Sequence, residues 1–278
     1  MSFRVRVSSP AVDATSKALE EGLKDVKNII MVLSGKGGVG KSIVASSLAV
    51  SLRMMGRSVA ILDADFHGPS IPWILGVEGR YVGATLEGKL VPVEVGGIGV
   101  VSVELMLNVR TTPIIWRGPL KARAITDLLS QTLWGSRDYL IVDLPPGTGD
   151  EPLTIAQQLK VRPLAAVLVL TPGHMVKHIV MKAKEFLNLL EVPLLGVVAN
   201  MSYFRCPKCG AVTNIFGTLD VGPDEVIAEI PVDQELAVAV ERSQLIDYIT
   251  NNNGETASIL RSLGPRVEER LKQVARTS

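Results

Sequence analysis

The sequence predicts an α/β fold: one domain on a mostly parallel sheet, with helices on both faces and a small β-hairpin insertion. Three observations predict it. Strand-like apolar runs alternate with helix-like segments along most of the chain, which is the pattern of parallel strands joined by crossover helices. A glycine-rich stretch at 35–42 lies between an apolar run and a helix-like one, as a phosphate-binding loop does. The 278 residues are 47% apolar and 4% aromatic with a net charge of +1, the composition of a globular chain long enough to bury a sizeable core.

In chain order, residues 1–27 read as a polar lead-in, with a short helix over 15–26. The run Ile29-Ile30-Met31-Val32-Leu33 is too apolar for a half-exposed strand and reads as a buried one, followed by a helix over 42–55. Residues 58–62 form the next strand. From 81 to 104, glycines at 83, 88, 96, 97 and 99 punctuate short β-rich pieces, which predicts a hairpin insertion on the sheet edge. Helices are then expected at 119–134, 152–159, 174–190 and 233–241, and strands at 139–142, 164–170, 194–199 and 226–230. A helix over 265–276 carries Val267, Leu271 and Val274 on one side; three apolar residues beside Glu268 and Glu269 suit a helix packed on the domain better than one lying on a membrane. Without repeats or a linker, residues 28–278 read as one domain. Right-handed crossovers place its ligand-binding loops at the carboxyl ends of the strands.

Charge near zero excludes a global attraction to DNA or anionic lipid, and no face-sized basic cluster appears. No run approaches 18 apolar residues, and residues 1–10 lack the apolar core of a secretory signal. The expectation is a cytoplasmic protein with neither nucleic acid nor membrane as partner.

The loop at 35–42 has a definite chemistry. Gly35, Gly37, Gly38 and Gly40 let the backbone curl its N–H groups, including that of Val39, around the oxygens of a nucleotide triphosphate. Lys41 reaches the β- and γ-phosphates, and the Ser42 hydroxyl can take one position on Mg²⁺. Two buried strands end in carboxylates, Asp63 with Asp65 and Asp143, where a magnesium shell would need them. The glycines after Asp143, at 147 and 149, would let that loop move when the γ-phosphate leaves. Lys36 is a second lysine in a loop that requires one.

Lys36-Gly37-Gly38-Val39-Gly40-Lys41-Ser42 resembles the deviant Walker A motif of P-loop NTPases. That motif is shared by partition and cell-division ATPases of the ParA and MinD type, the arsenite and tail-anchor ATPases and the nitrogenase iron protein. Further stretches resemble one branch, the Mrp-type (ApbC) iron-sulfur cluster carrier ATPases. They are Asp63-Ala64-Asp65-Phe66-His67-Gly68-Pro69-Ser70, Trp116-Arg117-Gly118-Pro119, Asp143-Leu144-Pro145-Pro146-Gly147-Thr148-Gly149-Asp150 and the run from Asn200 to Gly210. The resemblance implies ATP binding and slow hydrolysis. Lys36 would cross to the nucleotide of a partner subunit, Asp65 would position the attacking water, and Asp63, Asp143 and Ser42 would stand in or near the magnesium shell. Asn200, Pro231 and Asp233 would lie on the adenine side. This chain departs from the family at Ile43, where a threonine often follows the loop serine, so that only the backbone N–H remains for the α-phosphate. It departs also at Gly173 and Ile179, where glutamine and aspartate are common.

The chain has two cysteines, Cys206 and Cys209, spaced C-x-x-C. They can place two thiolates near one metal, whereas a [4Fe-4S] cluster or a structural zinc takes four ligands. No third cysteine exists. Of the three histidines, His174 and His178 are spaced i, i+4 and read as a solvated surface pair. The missing ligands would then come from a second copy across a two-fold axis. A labile cluster bridging a homodimer, a bridging zinc and a redox dithiol all remain open for the pair. The resemblance favours the first, with apo iron-sulfur proteins as recipients; the alternative is a MinD- or ParA-like positioning ATPase with zinc bridging its dimer.

Overall fold

The computed structural model describes residues 10–106 and 118–277. Trp116 and Arg117 of the Trp116–Pro119 stretch lie outside the described residues, as do residues 1–9 of the lead-in. Helix α1 (Pro10–Gly22) leads into β1 (Val26–Ser34), and α2 (Lys41–Met54) returns to β2 (Val59–Asp63). The short α3 (Ile71–Ile74) follows, then β3 (Gly83–Ala84), β4 (Leu90–Val91), β5 (Val93–Val95) and β6 (Ile98–Ser102). Next α4 (Gly118–Gln131), β7 (Arg137–Asp143), α5 (Asp150–Leu159), β8 (Leu164–Leu170), α6 (Val176–Leu189) and β9 (Leu194–Ala199) alternate. Then come β10 (Phe204–Arg205), β11 (Val212–Thr213), β12 (Val226–Glu229), α7 (Gln234–Glu241), α8 (Leu245–Asn251), α9 (Glu255–Arg261) and α10 (Leu263–Thr277).

The main sheet has eight strands in the order β12-β9-β8-β1-β7-β2-β6-β5, parallel throughout except for β5. Strand β1 sits between β7 and β8, where the direction of chain progression switches, and the loop leaving it faces the crevice that such a switch opens. Register aligns the strand ends: Val32 pairs with Asp143, and Asp143 with Asp63. Each face of the sheet has its own apolar layer. Helices α2, α7, α8, α9 and α10 cover one, through Leu48, Leu236, Ile249, Leu260 and Val267; α1, α4, α5 and α6 cover the other, through Leu19, Leu128, Ile155 and Val180.

Some boundaries differ from expectation for readable reasons. The first helix is Pro10–Gly22, not 15–26, because Val26 already pairs with Arg137 at the start of β1. That segment is not merely polar, since Leu19 of the helix and Leu23 just after it are buried in the core. Within 81–104, β3 and β4 form the small antiparallel hairpin, but β6 is no edge insertion. It pairs parallel with β2 inside the main sheet with all five residues buried, a strand obscured by the glycine in Ile98-Gly99-Val100. Helix α10 does pack on the domain: Val267 is buried, and Leu271 and Val274 lie against the core. Glu268 faces inward and accepts from Arg57 Nε at 2.7 Å and Tyr139 Oη at 3.1 Å. Burial opposes its charge, yet those two donors hold its carboxyl below the usual range. Among the described residues no helix is long and apolar enough to cross a membrane.

Candidate functional site

The glycine-rich loop joins β1 to α2. Ser34 Oγ braces its first turn by donating to Lys36 O at 3.0 Å. Gly40 caps α2 in the left-handed region at φ 80°, and a Cβ there would land on the Asn200 amide, so the position needs glycine on two counts. No side chain caps α2, which leaves its first N–H groups and its dipole directed at the loop. A cavity of about 380 Å³ lies over it, lined by Lys36 to Gly38, Gly40 to Ile43 and, from the opposite wall, Asp65 and Pro146. Lys36 is exposed at this rim, and among the described residues its ammonium has no hydrogen bond or ion pair.

Behind the loop the charges are buried and cross-linked. Lys41 Nζ donates to Asp143 Oδ1 at 2.6 Å, and Ser42 Oγ donates to Oδ2 at 2.6 Å. The two charged side chains are 7% and 0% exposed, so each depends on the other for charge compensation. Asp63 uses both oxygens on the loop that follows it, accepting from the N–H groups of Asp65 (3.2 Å), Ser70 (3.0 Å) and Ile71 (3.1 Å). Burial, and next the Asp143 charge, push its carboxyl up to about 8. Asp143 is also raised by burial, against the pull of Lys41 and Ser42. Asp65 Oδ1 accepts from His67 N at 3.1 Å and Gly68 N at 3.3 Å, a turn that fixes the carboxylate at the cavity wall. Buried carboxylates beside a serine hydroxyl are a hard-oxygen donor set that fits Mg²⁺, whose charge would offset the cost of their burial.

The remaining expected nucleotide residues are placed differently. Asn200, at the end of β9, is 7% exposed and donates from Nδ2 to Val39 O at 2.9 Å, so it clamps the loop from beneath. Asp233 is the N-cap of α7, accepting from Leu236 N at 3.0 Å and from Tyr248 Oη at 3.0 Å. Burial opposes its charge, but bonds from Thr256, Leu236 and Tyr248 keep its carboxyl lowered. Pro231 is buried just before it. Asn200, Pro231 and Asp233 are not among the described residues lining the loop cavity.

Cys206 and Cys209 sit at the tip of the β10–β11 hairpin, half-buried and exposed respectively. The turn is closed by Cys206 N to Ala211 O and by Gly210 N to Cys206 O, both 2.9 Å, with Gly210 at φ 71°. The N–H groups of Cys209 and then Lys208 point at the Cys206 sulfur and hold its thiol below the ordinary range, favouring the thiolate that binds metal. Phe204, Val212, Ile215 and Phe216 are exposed around the pair. His178 is exposed on α6 and His174 is exposed in the turn just before it, since that helix begins at Val176 and not at 174, and no group of three or more His, Cys, Asp or Glu is placed to hold a metal among the described residues.

Two features of the site have no local signal in the sequence. Glu255, the first residue of α9, takes Arg205 at 2.8 and 3.0 Å and Tyr203 Oη at 2.9 Å, tying the hairpin to the domain. Ile179 of α6 packs on Gly35, where a Cβ would meet its side chain, so the residue that departs from the family pattern is a wall of the loop.

A family model described as ParA: NUBPL iron-transfer P-loop NTPase matches residues 25–267. An iron-sulfur cluster carrier protein of Aquifex aeolicus is 41% identical over 244 residues, covering 86% of this chain and 66% of its own length. One from Saccharolobus solfataricus is 41% identical over 242 residues, covering 84% and 81%. A cytosolic Fe-S cluster assembly factor NUBP2 homolog of Dictyostelium discoideum is 39% identical over 248 residues, covering 85% and 92%. Among solved structures, a nucleotide-binding protein of Archaeoglobus fulgidus in complex with ADP superposes with a TM-score of 0.72 at 38% identity, over 84% of this chain and 93% of that one. The cell division ATPase MinD of Pyrococcus furiosus, at 21% identity, 87% and 98% coverage and a TM-score of 0.64, shares the fold.

Proposed function

Because the chain belongs to the ParA-type family of iron-transfer P-loop NTPases, we propose that it is an ATPase that carries an iron-sulfur cluster between two copies of itself and delivers it to apo-proteins. One observation carries this reading. The chain that builds a complete phosphate loop also presents a cysteine pair, with Cys206 held toward its thiolate, on an exposed hairpin and with only half the ligands a [4Fe-4S] cluster takes. A second copy supplies the other half, and the exposed Phe204, Val212, Ile215 and Phe216 give the two hairpins an apolar surface on which to meet. The relatives named as cytosolic assembly factors support a cytoplasmic setting.

At the nucleotide end, the N–H groups of the loop and of α2 take the phosphates while Lys41 supplies the point charge. Ser42, Asp143 and Asp63 would hold Mg²⁺, which would supply positive charge against the charge developing on the phosphates. Asp65 orients the attacking water, and Lys36, exposed at the rim, reaches the phosphates bound by the other copy. The base lies toward Asn200, Pro231 and Asp233. Residues 28–278 act as one unit, and turnover is slow because closure of the dimer, not bond cleavage, sets the rate.

Anaerobic reconstitution with iron and sulfide, followed by transfer to an apo-ferredoxin with ATP, with ADP and without nucleotide, tests this. The expected result is a broad absorption near about 400 nm and transfer that depends on the nucleotide. Stoichiometric zinc with no such band would overturn the carrier reading.

A further inference from the structure

A buried lysine outside the nucleotide contacts joins the two loops that frame them. Lys121, near the start of α4, is 8% exposed. Its Nζ donates to Glu151 Oε2 at 2.9 Å and meets His67 Nε2, while His67 Nε2 and Glu151 Oε2 are 3.8 Å apart. A lysine is buried this far only with partners, which sets this cluster apart from a solvated surface pair. Its two partners matter by position. His67 stands two residues after Asp65, in the turn whose N–H groups hold the Asp65 carboxylate. Glu151 is in the first turn of α5, which continues directly from the loop leaving Asp143. One ammonium therefore ties together the loops that leave β2 and β7. The cavities agree, since one of about 460 Å³ lined by His67 and Glu151 shares Asp65, Gly68 and Pro146 with the cavity over the phosphate loop.

We propose that Lys121 is a positioning residue for ATP hydrolysis: by holding His67 and Glu151 together it fixes the Asp65 turn against the Asp143 loop, in the place where Asp65 orients the attacking water. The inference rests on the ATPase reading above. Lys121 is not among the described residues lining the cavity over the phosphate loop, so its loss should fall on turnover and spare affinity. A displacement of the order of an ångström at Asp65 is enough to cost a large factor in rate.

The test is steady-state ATP hydrolysis by the full chain beside ATP affinity from a fluorescent analogue. Lys121→Met is expected to lower kcat roughly tenfold with ATP affinity held within about twofold, and Lys121→Arg to recover about half of the wild-type rate. In an Asp65→Asn background Lys121→Met should cost nothing further, a non-additivity that a merely structural role would not produce. Should Lys121→Met fail to fold by circular dichroism, Glu151→Gln cuts the same tie and carries the same expectation. The inference is overturned by wild-type kcat in these variants, by affinity lost in parallel with kcat, or by full additivity with Asp65→Asn. Absence of hydrolysis in the wild type would instead bring down the ATPase reading and this inference with it, whereas wild-type turnover by Asp65→Asn alone would remove the role of Asp65, and with it this inference, while leaving the ATPase reading in place.

Discussion

The phosphate loop hangs from β1 between two buried strands, whereas the cysteine pair hangs from β10 and β11, two residues each. Behind the loop the buried charges have partners in the same chain: Lys41 and the Ser42 hydroxyl with Asp143, and Asp63 with three backbone N–H groups. The hairpin leans on an exposed pair, Arg205 with Glu255, of the kind that contributes at most about 1 kcal/mol. It offers two sulfur ligands where four are wanted. The difference matches what each site handles. A nucleotide is gripped by a preorganised cradle, which must survive many turnovers. On the reading proposed above, a cargo that has to leave again would suit a shallow, half-complete site that a second copy completes.

The contrast breaks first at the cysteines. Cys206→Ala or Cys209→Ala is expected to abolish stable cluster binding while ATP affinity stays as it was, as read by iron content beside nucleotide titration; a full cluster in either variant would remove the ligand assignment. Next comes Lys41→Ala, which strips Asp143 of its partner inside the core. Breaking a buried pair costs about 3–5 kcal/mol, so thermal stability should drop clearly and ATP affinity fall more than about tenfold. Cysteine alkylation should be unaffected, which keeps the two regions apart. The smallest effect is sharpest as a diagnostic. Asn200→Ala leaves the Val39 carbonyl short of a donor, a loss of about 1 kcal/mol and thus about fivefold in ATP affinity, if the clamp beneath the loop sets its shape. Unchanged affinity would leave Asn200 a packing residue only.

Legibility in the sequence followed the same divide. The loop at 35–42 was readable because its ligands are contiguous and flanked by a strand and a helix, and Asp63 and Asp143 because each ends an apolar run. The cysteine pair was readable as arithmetic. What held these parts in place was not. Asn200 reaches Val39 across 161 residues, Glu255 braces Arg205 across 50, and Glu268 meets Arg57 across 211. No local pattern announces such partners, since a polar residue on a short helix looks solvated until the fold buries it. Strand β6 was hidden for another reason: Gly99 interrupts its apolar run, and the glycines around it read as turns.

The measurement that bears most directly on the incomplete cysteine site is native mass spectrometry of the anaerobically reconstituted protein, before and after iron chelation. The account predicts one cluster per two chains, lost together with the cluster-linked dimer on chelation and absent in Cys209→Ala. A cluster held by a single chain, or a dimer whose cysteines hold only zinc, would contradict it.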